Sequence, residues 1–350
     1  MTPRARGGWG AGDMTRALPP VLDSSAVTVG PALRAACDRL SPGMRSVVGY
    51  HLGWLDADGN PADLEGGKSV RAALALLSAR AAGGAAADGL PGAVAVELVH
   101  TFSLLHDDIM DGDTERHHRP AAWAVFGRAP AILAGDAVLA LAVQVLLHSD
   151  SAHRAAGLES LSDATARLID GQAQDLDLEG RTDVTPEQCT GMCAQKTGAL
   201  LECAASIGAV LAGAGREVVE PLRAFGAHLG LAFQAVDDLL GIWGDPAVTG
   251  KPVFGDLVRR KSSLPVAIAL QSGNGEVREL GELLARTRLD PDELVTAAGL
   301  VEACGGRDGA GAQAADQLNR ALAALEAAPI DASARADLAQ IARFVAARQF

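Results

Sequence analysis

The sequence predicts an all-α fold, and three observations carry that prediction. Aromatic residues make up only 3% of the 350-residue chain, too few for the packed faces of a β-sandwich. Long Ala- and Leu-rich stretches dominate an apolar content of 49%, and these residues favour helices. Apolar positions recur at helical spacing between Gly, Pro and Asp breaks, with no convincing alternating run. No linker is long enough to divide domains, so a single large α domain is expected over residues 29–350. Residues 1–28, rich in Gly, Pro and Arg, are expected to form a disordered tail.

Helices are expected over Arg45–Leu55, Ser69–Ala81, Ala93–Asp111, Ala129–Leu147, Ala155–Gln174, Pro186–Leu211, Val218–Leu240, Leu264–Gln271 and Asp331–Gln349. Each is an apolar-periodic stretch bounded by turn formers. The breaks fall at Asp56–Gly67, Gly83–Gly92, Gly112–Ala121 and Gly241–Lys261.

Composition excludes several function classes. The net charge is −13 and no basic face appears, which argues against a nucleic-acid partner. The five cysteines, at 37, 189, 193, 203 and 304, are odd in number and read as reduced thiols of a cytoplasmic protein. Cys189 and Cys193 share a helix face, but no second Cys or His pair accompanies them, so small buried residues are the better account. The first twenty residues lack the apolar core of a secretory signal, and no unbroken run of eighteen apolar residues marks a membrane span.

Chemistry concentrates in two acidic stretches. The helix over 93–111 ends in Asp107-Asp108-Ile109-Met110-Asp111. Asp107 and Asp111 stand one turn apart on one face, with Asp108 flanking them. Carboxylates at a helix C-terminus repel one another and oppose the helix dipole, yet their neighbours are apolar, which a plain solvated helix end does not explain. The second stretch is Phe233-Gln234-Ala235-Val236-Asp237-Asp238-Leu239-Leu240-Gly241. Two acidic stripes on long apolar helices suggest helices facing each other across a cavity. Mg²⁺ is the natural charge balance, because it takes hard oxygen ligands and shares itself with substrate phosphates.

Basic groups complete the pattern. Gly66-Gly67-Lys68 with Arg71 opens a helix and offers free N–H groups and two cations to a phosphate. Lys196-Thr197-Gly198, Gly250-Lys251-Pro252 and Lys261 add further cations, each a weak signal alone. His100 lies two turns before Asp107, on the same face.

These stretches together resemble the trans-isoprenyl diphosphate synthases (polyprenyl synthetases), from about Tyr50 to the C-terminus. The matching residues are GGKSVR (66–71), VELVHTFSLLHDDIMDGD (96–113), LAGDAVLALA (133–142), GQAQDLDLE (171–179), QKTGALLECAASIGA (195–209), FQAVDDLLGIWGDPAVTGKP (233–252) and GDLVRRKSSLP (255–265). The wording is most like bacterial geranylgeranyl diphosphate synthases.

The resemblance implies one bundle of roughly ten or more helices around a deep central cavity, the isoprenoid synthase fold, in a homodimer. Asp107, Asp108 and Asp111, with Asp237 and Asp238 opposite, would hold about three Mg²⁺ on an allylic diphosphate (dimethylallyl, geranyl or farnesyl). Lys196, Thr197, Lys251, Lys261 and Gln234 would contact that diphosphate. Lys68, Arg71, His100 and Arg116 would hold isopentenyl diphosphate. Phe233 and the oxygens near Thr197 would face the allylic cation. Phe102 and Ser103, just before the first acidic motif, would form the floor of the product tunnel and stop the chain at twenty carbons.

The sequence departs from the family pattern in four places. Gly241 takes the place of a third Asp in the second motif, and His117 that of a second Arg after Arg116. Ser262 takes the place of a second Lys after Lys261, and the C-terminus reads Ala346-Ala347-Arg348-Gln349-Phe350 rather than basic. Reduced rather than lost metal binding is expected at Gly241. The weakened second site keeps two rivals in view: a cyclase that ionises an allylic diphosphate alone, and a partner subunit of a heteromeric synthase.

Overall fold

A computed structural model describes residues 18–62, 64, 69–245 and 253–347. Lys68, Lys251 and the last three residues, all named above, lie outside them. The chain opens with α1 (Pro20–Cys37), started by Pro20 in the first turn. This corrects the expected tail, because α1 begins inside residues 1–28. Its Leu22, Val29 and Leu33 are buried in the core, a stripe that the Gly- and Pro-rich stretch around it concealed.

Next come α2 (Pro42–His51), α3 (Val70–Ala81) and α4 (Ala86–Met110). The expected break over 83–92 is largely helix. The Asp88 carboxylate accepts the Ala85 N–H at 2.8 Å and starts α4 early. Pro91, the sixth residue of α4, gives up one intrahelical bond without ending the helix. The expected loop after α4 holds two short paired strands, β1 (Glu115–Arg116) and β2 (Arg119–Pro120), with Arg116 opposite Arg119. They are too short to show alternation in sequence.

After α5 (Ala122–Phe126) run α6 (Arg128–Leu147) and α7 (Arg154–Leu178). By length and composition α6 is apolar enough to cross a membrane, which a search for an unbroken apolar run missed because Asp136 interrupts it. Its Ala134, Val138, Leu141 and Leu146 are buried in the core, and the helix packs along α4.

The helix expected over 186–211 is interrupted. α8 (Pro186–Cys193) and α9 (Ala199–Leu211) flank a π-turn at Ala194–Gly198, which re-aims Lys196 and Thr197. α10 (Arg216–Trp243) runs through Gly241, past its expected end. The chain closes with α11 (Gly255–Val258), α12 (Leu264–Leu270), α13 (Val277–Leu284), α14 (Pro291–Ala303), α15 (Gly306–Ala327) and α16 (Ala332–Ala346).

The main core is built from α3, α4, α6, α7, α9 and α10, with α1, α2 and α16 covering it. Two smaller clusters continue it under α8, α12 and α15 and around α11 to α14. The C-terminal end of α4, the middle of α7, the π-turn and the end of α10 carry the acidic and basic residues that the sequence singles out.

Candidate active site

The end of α4 supplies the first acidic face. Burial pushes the Asp107 carboxyl up to about 6, and Asp111 adds to the rise, while Lys196, Arg116 and Lys261 oppose it. Asp108 is turned elsewhere. It is 1% exposed, and Nε of Arg116 donates to Oδ1 at 2.7 Å and to Oδ2 at 3.0 Å. Nη2 of Arg116 lies 2.6 Å from Oδ1. Asp108, expected at a metal, and Arg116, expected at isopentenyl diphosphate, are thus paired with each other here. The reason is tertiary. Asp108 is rotated by about 100° from Asp107, and the β1–β2 hairpin folds Arg116 back over that side of the helix. Arg259 closes the loop after α4 in the same way, its Nη1 and Nη2 each 3.0 Å from an Asp113 oxygen.

The second acidic motif is also divided. Asp238 is buried, and it accepts a hydrogen bond from Gln234 Nε2 at 2.8 Å and one from the Leu264 N–H at 2.9 Å. Thr197 Oγ1 donates to Gln234 Oε1 at 2.8 Å. A continuous chain therefore runs from the π-turn through α10 to the first turn of α12. Burial pushes Asp238 up to about 7, helped by Asp256 and Asp237, while the Leu264 and Gln234 bonds pull it down. Thr197, Gln234 and Asp238, expected as diphosphate and metal contacts, are joined to one another here. Asp237 is half-buried on the adjoining face of α10, and Phe233, one turn earlier, packs against the main core.

Two lysines stand between the acids. Lys196 Nζ is 2.5 Å from Asp175 Oδ2 on α7. Gly171 makes that approach possible, because a Cβ there would lie 2.2 Å from the Lys196 backbone nitrogen. Lys261 Nζ is 3.9 Å from Asp111 Oδ2. Burial works to lower its pKa, but Asp256, Asp111 and Asp175 prevail and raise it. Ser262 is buried, and its Oγ donates to the Leu178 carbonyl at 2.6 Å.

A separate cationic cluster lies behind the Arg116–Asp108 pair. It contains Arg71, His100 and His117, and adds His51, Arg119 and Glu97 beside Arg71. Burial drives His51 down to about 3, and Arg116, His117 and Arg119 push it further the same way. His100 is held well below its ordinary value by burial, Arg71, Arg116, His51 and His117. Arg71 Nε is buried and has no hydrogen-bond partner among the described residues. The Glu97 carboxylate offsets part of the Arg71 charge, and the orphaned Nε leaves a donor open to an anion. His117 and His118 form the hairpin tip, with φ of +51° and +59°, a two-residue turn of the type that usually takes Asn and Gly. His117 is exposed there, and desolvation, Arg116, Arg119 and His118 lower its pKa.

Below the acidic face, Phe102 is 7% exposed and meets His106 edge-on with ring centroids 4.8 Å apart. Ser103 is buried and donates to the His100 carbonyl at 2.9 Å. The two candidate floor residues therefore point differently, Phe102 into a ring contact and Ser103 back along its own helix.

Sequence reasoning missed Asp175, Asp256, Arg259, His51 and Arg119. Asp175, Asp256 and Arg259 lie inside the family-like stretches 171–179 and 255–265, and that was the available signal; His51 and Arg119 gave none. Cys189 and Cys193 are buried as expected, and the fold adds a neighbour: their sulfurs and an Asp238 oxygen lie within 4.8 Å of one another. The hydrogen bond to Cys189, burial and Asp238 hold Cys193 protonated.

The polyprenyl synthetase family model matches residues 61–301. The chain belongs to the polyprenyl synthetase family. The (2E,6E)-farnesyl diphosphate synthase of Mycobacterium tuberculosis (strain ATCC 25618 / H37Rv) is 48% identical over 341 residues, covering 96% of this chain and 95% of that protein. The geranylgeranyl diphosphate synthase of the same strain is 41% identical over 339 residues, again covering 96% and 95%. The crystal structure of a polyprenyl synthetase from Streptomyces coelicolor A3(2) superposes with a TM-score of 0.90 at 49% identity, covering 94% of this chain and 99% of that one. This polyprenyl synthetase is thus an all-α prenyltransferase, and its two charged clusters sit where the family-like stretches converge.

Proposed function

We propose that the chain is a Mg²⁺-dependent, short-chain trans-prenyl diphosphate synthase that joins an allylic diphosphate to isopentenyl diphosphate. One observation carries this reading: two charged surfaces of different chemistry meet back to back at the Arg116–Asp108 pair. One is acidic, with Lys196 and Lys261 at its rim; the other is built from the cations Arg71 and Arg119 with the neutral imidazoles of His51 and His100 and with His117 beside them. An enzyme that only ionises one diphosphate needs the first surface. The second, with Arg71 Nε unpartnered among the described residues, supports a second anionic substrate and so favours condensation over the cyclase reading.

The residues fit Mg²⁺. The donors of the acidic face are hard carboxylate oxygens, and their mutual repulsion and burial raise Asp107, a cost that a bound dication relieves. Asp107, Asp111 and Asp237 would hold the ions, about three in all. Bound there, Mg²⁺ supplies Lewis-acid stabilisation of the leaving diphosphate.

The chain's own groups do the rest. Lys196 and Lys261 hold the allylic diphosphate and offset the negative charge that grows as the carbon–oxygen bond breaks. The cationic cluster holds isopentenyl diphosphate so that its double bond meets the allylic carbon. Phe233 and Thr197 line the approach and keep water from the cation. The new carbon–carbon bond forms, the proton lost from the isopentenyl unit passes to the released diphosphate, and no protein base is needed.

For product length, the higher identity to the farnesyl synthase favours fifteen carbons. Twenty carbons, expected from a single bulky Phe102 beside small Ser103, is the second reading. A homodimer is supported by an exposed apolar row, Leu133, Val143 and Leu147 on α6 with Ile169 and Leu176 on α7. Five free, buried cysteines support a reducing, cytoplasmic setting. The test supplies labelled dimethylallyl, geranyl or farnesyl diphosphate with and without isopentenyl diphosphate, and with and without Mg²⁺. A longer prenyl diphosphate that needs all components is expected. Hydrocarbon or alcohol from the allylic substrate alone would establish a cyclase, and turnover only with a second chain would establish a subunit.

A further inference from the structure

We infer that Cys189, Cys193 and Asp238 form a binding site for one thiophilic divalent cation of the zinc class. The site stands apart from the Mg²⁺ reading above, since it uses none of Asp107, Asp111 and Asp237.

The local sequence supplies two of the donors. Cys189 and Cys193 are four residues apart on α8, which brings both sulfurs to one face. Two sulfurs alone are too few to hold an ion, and the fold delivers a third donor from α10. An Asp238 oxygen and the two sulfurs lie within 4.8 Å of one another, and all three residues are buried. Tetrahedral zinc, with Zn–S of about 2.3 Å, sets two sulfurs about 3.8 Å apart. The donors therefore close in by about 1 Å at most, within the reach of side-chain rotation. Sulfur donors select zinc and similar ions over Mg²⁺, which keeps to hard oxygens.

A second observation marks the same place. A cavity of about 10 Å³ lies between α8, α10, α12 and α15, lined by Cys189, Cys193, Asp238, Gln234, Leu264 and Gln313 among others. That is room for about one water-sized occupant. Asp238 is also oriented as a ligand needs to be. Its Oδ1 accepts from Gln234 Nε2 and its Oδ2 from the Leu264 N–H, so each oxygen keeps a lone pair for a cation. The Gln234 amide is used at both ends, by Asp238 and by Thr197, so a water completes the tetrahedron. As the cation enters, the two thiol protons leave to solvent, and Cys189 gives up its 3.3 Å hydrogen bond to the Ser262 carbonyl. The bound ion ties Cys193 to α10. The π-turn that carries Lys196 and Thr197 starts at the next residue, so its entry is clamped.

Cd²⁺ and Zn²⁺ are the probes, added to the reduced full-length protein with Mg²⁺ in large excess so that hard-oxygen sites are filled first. One equivalent of Cd²⁺ should bind and give the ultraviolet thiolate-to-cadmium charge-transfer band. X-ray absorption at the zinc edge of wild-type protein loaded with one equivalent should show two sulfur neighbours at about 2.3 Å, a readout that needs no variant. Cys189→Ser and Cys193→Ser should each weaken Cd²⁺ binding by at least about tenfold, and Asp238→Asn should weaken it while keeping the band. Cys203→Ser and Cys304→Ser should bind as wild type does. Zn²⁺ should raise the thermal midpoint of the wild type and not that of Cys189→Ser combined with Cys193→Ser. The inference is overturned by zinc neighbours that are oxygen or nitrogen alone, by a charge-transfer band that survives in the double variant, or by Cd²⁺ binding that excess Mg²⁺ abolishes. Absence of Mg²⁺-dependent condensation would overturn the proposed function and leave this site standing, which separates the two failures.

Discussion

Arg116 grips both carboxylate oxygens of Asp108, at 2.7 and 3.0 Å from a single guanidinium nitrogen, and the carboxylate is almost completely buried. A buried charge stripped of its partner is costly. Arg116→Ala should destabilise the fold by about 3–5 kcal/mol in urea unfolding. Adding Asp108→Asn to that variant should recover most of the loss, because the uncompensated charge goes with it. A single variant as stable as wild type would mean that the pair does not hold the hairpin to α4.

Asp107 is expected to behave oppositely. Asp107→Ala should lower the condensation rate about 10³-fold, roughly 4 kcal/mol in barrier height, with the helical circular dichroism intact. Its carboxyl titrates near 6 in the folded protein against 3.8 ordinarily. The folded state thus binds the proton more tightly, and stability falls as pH rises through that window. Metal-free Asp107→Asn should therefore be more stable than wild type above about pH 6, with the gap closing toward pH 4. Equal thermal midpoints across that range, or near wild-type turnover with Mg²⁺, would remove Asp107 from the metal face.

The histidines carry the reverse sign. His51 and His100 are held neutral in the folded protein, so their contribution to stability is present above about 6.5 and is lost as pH falls below it. A bound diphosphate favours their protonated forms, and isopentenyl diphosphate binding should take up protons and strengthen from pH 8 toward 6. His117→Arg should lower the isopentenyl diphosphate KM and flatten the pH profile between about 6 and 8, leaving the allylic KM unchanged. Superimposable profiles for variant and wild type would place His117 at the hairpin tip without a part in binding.

Phe102 lies five residues before Asp107, about 7.5 Å along α4. Phe102→Ala should lengthen the product as analysed by chromatography of the hydrolysed alcohols. It should also cost about 3 kcal/mol of stability, because a buried ring that meets His106 is removed. A folded variant with an unchanged product would move the tunnel floor to other residues.

Much of the site was legible in the order of residues. The pairing of Asp107 with Asp111 follows from helical periodicity alone. The cations at 71, 196 and 261 stand out as basic groups that complement the acidic motifs, and the family-like stretches around them give them a role. Asp175 and Asp256 lay in the same stretches and were passed over. One acid followed by alternating polar residues, or one acid in a four-residue turn, has no periodic signature. The helices α13 to α15 were missed because Gly, Pro and small residues interrupt their apolar spacing.

By itself the sequence determined that the chain is helical, that its apolar helices end in carboxylates, and that cations stand ready to meet phosphate. These follow from propensity and period, which act between residues a few positions apart. Only the tertiary structure decided which carboxylates stay on the acidic face. It turned Asp108 to Arg116 through a two-residue hairpin, drew Asp238 into hydrogen bonds with Gln234 and Leu264, and set Asp256 over Gly241. Each of those choices depends on charges brought together from distant segments into low-dielectric surroundings, where the partner decides whether a carboxylate is a structural group or a ligand.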